Sequence, residues 1–216
     1  FIMHAHAPDW LYHTVDGDID SITGADSEDV AIAQNLEKEM YRSLDRLVGK
    51  IAACADEETV IILTSDHGCK ATGHKFDVNK ILEDSGLLVW GEPDQYGHPV
   101  PDWPKTKAYG QRSIYIYVNL KGRDPHGIVA PGKAYEALRR QIINALYDYT
   151  DSETGIKPIA LALKKEDALI LGLKGDRIGD IVYAVNPEFG KEHGAFLPTA
   201  EYGVGSMRGL LAIQGP

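Results

Sequence analysis

Two patterns of apolar and polar positions alternate along this chain. Continuous, largely β-branched runs such as Val60–Leu63 are typical of buried strands, whereas apolar residues spaced three or four apart, as between Val30 and Ile51, predict amphipathic helices. Ser27 is the predicted N-cap of the first long helix. Further helices are predicted from Asp77 and over 133–149, and strands near 60–63, 87–90, 113–119, 158–163, 180–185 and 208–214.

This alternation of helices and strands favours an α/β fold. We expect a layered sandwich with a central, mostly parallel sheet flanked by helices, and with the strand at 60–63 buried inside it. No internal repeat or low-complexity tract divides the sequence. Residues 1–216 are therefore expected to belong to one domain, in which the proline-rich stretch 91–112 forms a loop-rich excursion.

Composition and charge narrow the range of functions. The 216 residues, 44% hydrophobic and 25% charged, are enough for a sizeable globular core. A formal net charge of −10 argues against a nucleic-acid polymer as partner, because such binding requires clustered Lys and Arg. No apolar run approaches the ~18 residues that a membrane-spanning helix needs. The isolated cysteines Cys54 and Cys69 do not have the spacing of a disulfide framework.

The segment with the clearest chemistry is Thr64-Ser65-Asp66-His67-Gly68, directly after the first predicted strand. In open α/β sheets ligand sites gather at the carboxyl ends of strands, and a carboxylate beside an imidazole can bind a metal ion there. Asp9 and His13 stand four residues apart, so one helical turn brings them to the same face. His193, between Glu192 and Gly194, adds a third imidazole. This mixed oxygen and nitrogen set suits zinc or manganese.

Each of these residues could instead have an ordinary structural role. Asp66 after a strand is a common turn former, Asp9 after a proline is a typical helix-start residue, and His13 suits a protein surface. Glu192 is expected to face solvent or to support a ligand rather than to bind metal. Arg123 suits either a phosphate or an internal loop contact, and the loop contact is favoured. The order and spacing of the three segments together make them specific.

In this order, Pro-Asp-x-x-x-His, Ser-Asp-His-Gly and Glu-His-Gly-x-x-Leu-Pro-Thr make the chain resemble the alkaline phosphatase superfamily. The branch it resembles is the type I phosphodiesterase/nucleotide pyrophosphatase proteins, and the similarity extends through 119–127 and 179–183. The resemblance implies an alkaline phosphatase-like fold that holds two divalent metal ions, zinc or manganese. It further implies that one ion is held by Asp9, His13 and His193, and that Asp66 and His67 belong to the other.

The resemblance also implies a Thr or Ser nucleophile and a further Asp, both upstream of Asp9. Eight residues precede Asp9 here, and none of them is Asp, Ser or Thr. We therefore expect residues 1–216 to be the C-terminal part of a catalytic domain whose nucleophile lies outside them. Alone, they are expected to lack phosphodiesterase activity and to bind metal weakly, since Asp66 and His67 are too few ligands for a tight second site.

By this resemblance the intact protein is a metal-dependent hydrolase of phosphodiesters or phosphomonoesters, of the nucleotide pyrophosphatase type. A hydroxyl would attack phosphorus, and water would hydrolyse the resulting phospho-enzyme, as in two-metal phosphoryl transfer. The alternatives are a phosphomutase or sulfatase of the same superfamily, or a catalytically inactive metal-binding module. The expected partner is a small phosphoester or nucleotide, with no nucleic-acid polymer and no membrane.

Overall fold

The computed structural model describes residues 1–19, 24–69, 74, 76–111, 114–189 and 209–216. These residues form two compact units. The first contains the described residues of 1–74 and 198–216, and the second contains those of 75–197. None of the helices in the described ranges combines the length and the apolar character that crossing a bilayer demands.

Helices and strands alternate irregularly along the described part of the chain. In order they are α1 (Ala7–Ile19), α2 (Ser27–Ala52), β1 (Ile61–Thr64), α3 (Val78–Asp84), β2 (Ala108–Gln111), β3 (Tyr115–Val118), α4 (Lys133–Asp148), β4 (Ile159–Lys164), a 3-10 helix (Asp167–Leu171), β5 (Ile181–Val185) and β6 (Leu211–Gln214).

Helices α1 and α2 pack on each other in the first unit, which also holds the antiparallel pair β1 and β6. Helix α2 begins where the sequence predicts it, but its N-cap is Asp26 rather than Ser27. The Asp26 carboxylate accepts hydrogen bonds from the amides of Glu28 and Asp29. Both residue types can cap a helix, so the shift of one position leaves the helix itself unchanged.

The second unit is a four-stranded antiparallel sheet in the order β2-β3-β5-β4, with α3 and α4 packed against it. Its core lies between the helices and the sheet. Ile142 and Leu146 of α4 and Ile116 and Val118 of β3 are all fully buried there. Strand β5 is buried along its whole length because it lies between β3 and β4.

The class α/β is observed, but the predicted mostly parallel central sheet is wrong. Every pair of strands among the described residues is antiparallel. Strands β3 and β4, which α4 connects, do run in the same direction, since both are antiparallel to β5. Because β5 separates them, no parallel pair forms. The alternation in sequence reports the order of elements and does not specify which strands become neighbours.

Two further strand predictions need correction. Strand β1 forms where predicted but is not buried, since Ile62 is 61% and Leu63 41% exposed. Its sheet partner in the described part of the chain is β6, whose side chains are also exposed. Residues 87–90 form no strand, and Trp90 makes an isolated bridge to Pro101. Leu87 and Leu88 are buried in an irregular segment. Their apolar side chains therefore predict burial correctly but do not specify a strand.

Asn79 joins α3 to β2 through two hydrogen bonds to Gly110. Its side chain donates to the Gly110 carbonyl at 3.0 Å and accepts from the Gly110 amide at 2.8 Å. Position 110 must be Gly, because an added Cβ would lie 2.2 Å from Cγ1 of Val78. Strand β2 lies within the stretch 91–112, so this contact fixes the end of that stretch to the core.

Replacing Asn79 by Ala is expected to lower the free energy of unfolding of the second unit by about 2 kcal/mol, because both Gly110 backbone groups lose their partner. Urea unfolding followed by tryptophan fluorescence measures this. Asn144, exposed on α4, provides the control, since Asn144→Ala is expected to change the stability by less than about 0.5 kcal/mol. Equal effects of the two substitutions would contradict the role of Asn79.

Candidate functional site

Helix α1 carries Asp9 and His13 on one face, as the spacing predicts. Nε2 of His13 lies 3.4 Å from Oδ1 of Asp9, and the two side chains are 38% and 31% exposed. Two ligands bound about 2.0–2.1 Å from a tetrahedral zinc ion lie about 3.4 Å apart. The pair therefore has the separation that two ligands of one metal ion require.

Asp66 and His67 follow β1 directly. The end of this strand is fixed by Ser65, whose amide donates to the Leu210 carbonyl at 3.0 Å and whose hydroxyl accepts from the Leu210 amide at 2.7 Å. Nδ1 of His67 lies 2.7 Å from the Gly68 carbonyl. A neutral ring that donates Nδ1–H to this carbonyl has its lone pair on Nε2, the nitrogen suited to a metal.

The structure brings the two motifs together. Nε2 of His67 lies 3.9 Å from Oδ1 of Asp9, and it lies 3.8 Å from Oδ2 of Asp66. Oδ1 of Asp9 is thus close to the Nε2 atoms of both His13 and His67. Four of the five predicted ligands form a continuous cluster, although they come from a helix near the start of the chain and from the end of β1.

The cluster fits a divalent ion by its donor chemistry and by the Asp9–His13 separation. Within the described ranges, however, no three Asp, Glu, His or Cys side chains are arranged to hold a metal ion as they stand. Asp66 is 82% exposed and contributes only its contact with His67 to the cluster. His193, the predicted third ligand of the first metal, lies outside the described residues, and so does Glu192.

Sequence reasoning missed the contact that holds α1 on α2 beside these residues. The Tyr12 hydroxyl donates to Oε1 of Glu37 at 2.5 Å and lies 3.0 Å from the Tyr41 hydroxyl. Burial, followed by the Glu37 hydrogen bond, raises the pKa of Tyr12 above its ordinary value, so the hydroxyl keeps its proton. The available signal was weak: Glu37 and Tyr41 are four residues apart on a predicted helix and therefore share a face.

Arg123 takes part in an internal ion pair of the second unit. Its guanidinium donates to both carboxylate oxygens of Asp180, from Nη1 at 2.7 Å and from Nη2 at 2.8 Å. Asp180 is fully buried and also accepts from the Tyr135 hydroxyl at 2.6 Å and the Val118 amide at 2.7 Å. These contacts support the favoured interpretation of Arg123 as an internal loop contact.

Comparison with known proteins identifies a family. The family model described as type I phosphodiesterase / nucleotide pyrophosphatase matches residues 3–198 of the chain. The matched range includes all five predicted ligands, from Asp9 to His193. No curated protein and no solved structure matches the chain at a significant level.

Proposed function

This chain belongs to the type I phosphodiesterase/nucleotide pyrophosphatase family of hydrolases, and on that premise we propose that the intact protein hydrolyses a small phosphodiester or nucleotide with the help of two divalent metal ions. The proposed ligands of one ion are Asp9, His13 and His193. Those of the other include Asp66 and His67. Zinc is the proposed metal and manganese the substitute, because both accept carboxylate and imidazole ligands.

The observation that carries the proposal is the position of Asp9. Its Oδ1 atom lies within 3.4 Å of the His13 imidazole and 3.9 Å of the His67 imidazole, although the two histidines come from different elements. The family match covers the same residues, so fold contacts and sequence motif point to one site.

The cluster offers two kinds of metal ligand, which differ in charge. Asp9 and Asp66 supply negative charge that offsets a divalent cation, and the imidazoles supply neutral nitrogen ligands. When bound, the ions would neutralise charge on the phosphoryl oxygens and favour ionisation of an attacking hydroxyl or water.

Metal removal tests the proposal directly. Dialysis of the intact protein against a chelator is expected to reduce hydrolysis of a p-nitrophenyl phosphodiester to the rate of the buffer blank, and added Zn²⁺ or Mn²⁺ is expected to restore it. The physical reason is that the ions proposed to offset the substrate's negative charge are then missing. A crystal structure of the reloaded protein should place the proposed side chains about 2.0–2.2 Å from an ion. Turnover that is unchanged after complete metal removal would refute the proposal.

A further inference from the structure

The rotation of α1 about its own axis decides where Asp9 and His13 lie. A side-chain oxygen stands about 6 Å from a helix axis, so a rotation of about 10° moves it by about 1 Å. A binding site needs its ligands held to within about 0.5 Å. The helix carries both ligands on one face, and His67 comes from another element. The contacts that stop α1 from rotating are therefore part of how the site is built.

Three residues form a chain of hydrogen bonds between α1 and α2. Tyr12 donates its one hydroxyl proton to Glu37, so the Tyr41 hydroxyl at 3.0 Å must be the donor to Tyr12. Tyr12 and Glu37 are half-buried at the helix interface, whereas Tyr41 is exposed. We call these residues, Tyr12, Glu37 and Tyr41, the hydroxyl relay.

The position of Tyr12 on α1 suits control of rotation. Successive helical residues are about 100° apart, so Tyr12 lies about 60° from Asp9 and about 100° from His13 around the axis. Its ring therefore reaches toward α2 from the flank of the ligand face without taking a place in that face. At the other end of α1, Nε2 of Gln34 donates to the Ile19 carbonyl at 3.2 Å. Of these two hydrogen-bonded contacts, that of Tyr12 lies nearer to Asp9 and His13 along α1.

We propose that Tyr12 and Glu37, supported by Tyr41, are positioning residues that fix the rotation of α1 and so hold Asp9 and His13 in place for metal. This inference rests on the proposed function, because it assumes that Asp9 and His13 bind the ion. The hydroxyl relay includes none of the proposed metal ligands. It acts on the positions of the ligands. Its loss is therefore expected to weaken metal binding more than it slows the chemical step.

Calorimetric titration of the metal-free intact protein with Zn²⁺ provides the test. Tyr12→Phe, which keeps the ring and removes the hydroxyl, is expected to weaken binding about 10-fold, the usual size of an effect on groups that orient metal ligands. Glu37→Ala, which removes the acceptor of the Tyr12 hydroxyl, is also expected to weaken binding. The double variant should lose no more than Tyr12→Phe alone, because that substitution already removes both hydrogen bonds of Tyr12. Glu37→Gln should bind Zn²⁺ like the wild type, since its amide oxygen still accepts from Tyr12.

Tyr117→Phe is the matched control. The Tyr117 hydroxyl also donates a hydrogen bond to a residue distant in sequence, since it lies 2.8 Å from the Arg177 carbonyl. Tyr117 belongs to the second unit, however. It should show a similar shift of the thermal midpoint to Tyr12→Phe and unchanged Zn²⁺ affinity. If Tyr12→Phe does not fold, the contrast between Glu37→Ala and Glu37→Gln decides in its place.

Two results would overturn the inference, and they are distinguishable. In the first, Asp9→Asn abolishes Zn²⁺ binding, but Tyr12→Phe and Glu37→Ala keep a Zn²⁺ affinity within 2-fold of that of the wild type. The proposed function then stands and the positioning role fails. If Asp9→Asn and His13→Ala both bind Zn²⁺ like the wild type, the proposed site itself fails, and the positioning role fails with it.

Discussion

Replacing Asp9 by Asn in the intact protein is expected to reduce kcat/KM for a p-nitrophenyl phosphodiester by about 10³-fold, comparable to the loss of a group that stabilises transition-state charge. Oδ1 of Asp9 is the atom close to both His13 and His67. Asn keeps the shape of the side chain and removes its charge, so the change acts on the proposed metal and leaves packing intact. His193→Ala is likewise expected to remove most turnover, because the proposed site of three protein ligands then loses one imidazole.

Asp94→Asn is the control for the Asp9 variant. Asp94 also pairs with a histidine four residues later, since its Oδ2 lies 3.1 Å from Nδ1 of His98. This pair lies on the surface of the second unit and has no part in the proposed site. Asp94→Asn should keep kcat/KM within 2-fold of the wild type. An Asp9→Asn enzyme with more than a tenth of wild-type activity would argue against Asp9 as a ligand.

The local part of the site could be predicted from the sequence, because it depends on periodicity alone. Asp9 and His13 share a face for the single reason that a helix repeats every 3.6 residues, and α1 includes both residues. The contact between Asp9 and His67 could only be inferred from the resemblance. Tyr12 and Glu37, 25 positions apart, could not be paired, since nothing in either sequence segment specifies the other.

The fold shows the same division between local and distant information. Helices α2 and α4 and strands β4 and β5 begin within a residue or so of the predicted positions, because caps and apolar spacing are local signals. The partners of the strands are distant information, and the predicted parallel sheet was wrong. Strand β5 comes last of the four along the chain but lies between β3 and β4. The position of β5 in the sheet depends on packing in the folded core and not on a local sequence signal.

Packing also explains why Arg123 makes an intramolecular contact. Asp180, directly before β5, is fully buried and accepts from the Val118 amide of β3. Both of its carboxylate oxygens need donors there. Arg123, Tyr135 and the Val118 amide supply them. Burial by itself raises the pKa of Asp180, but the hydrogen bonds from Arg123 and then Tyr135 outweigh it. The pKa of this carboxyl is therefore held below its usual value.

Asp180→Asn is accordingly expected to lower the free energy of unfolding of the second unit by about 3 kcal/mol at pH 7, the low end of the cost of breaking a buried ion pair. The low end applies because the Arg123 side chain is 36% exposed and keeps its contact with Asp124. Urea unfolding of the second unit, followed through Trp90 and Trp103 in a Trp10→Phe background, measures the loss. Asp84→Ala, which breaks the exposed pair with Lys80, should cost less than about 1 kcal/mol.

The stabilisation from Asp180 is also expected to depend on pH, with a sign set by its lowered pKa. As the pH falls through about 4, the unfolded chain takes up a proton at this carboxyl before the folded chain does. The contribution of Asp180 is therefore complete above that pH and is lost progressively below it. The gap in unfolding free energy between wild type and Asp180→Asn should narrow between pH 5 and pH 3, whereas the gap for Asp84→Ala, small throughout, should change little. A gap for Asp180→Asn that stays constant over this range would show that its carboxylate charge does not stabilise the second unit.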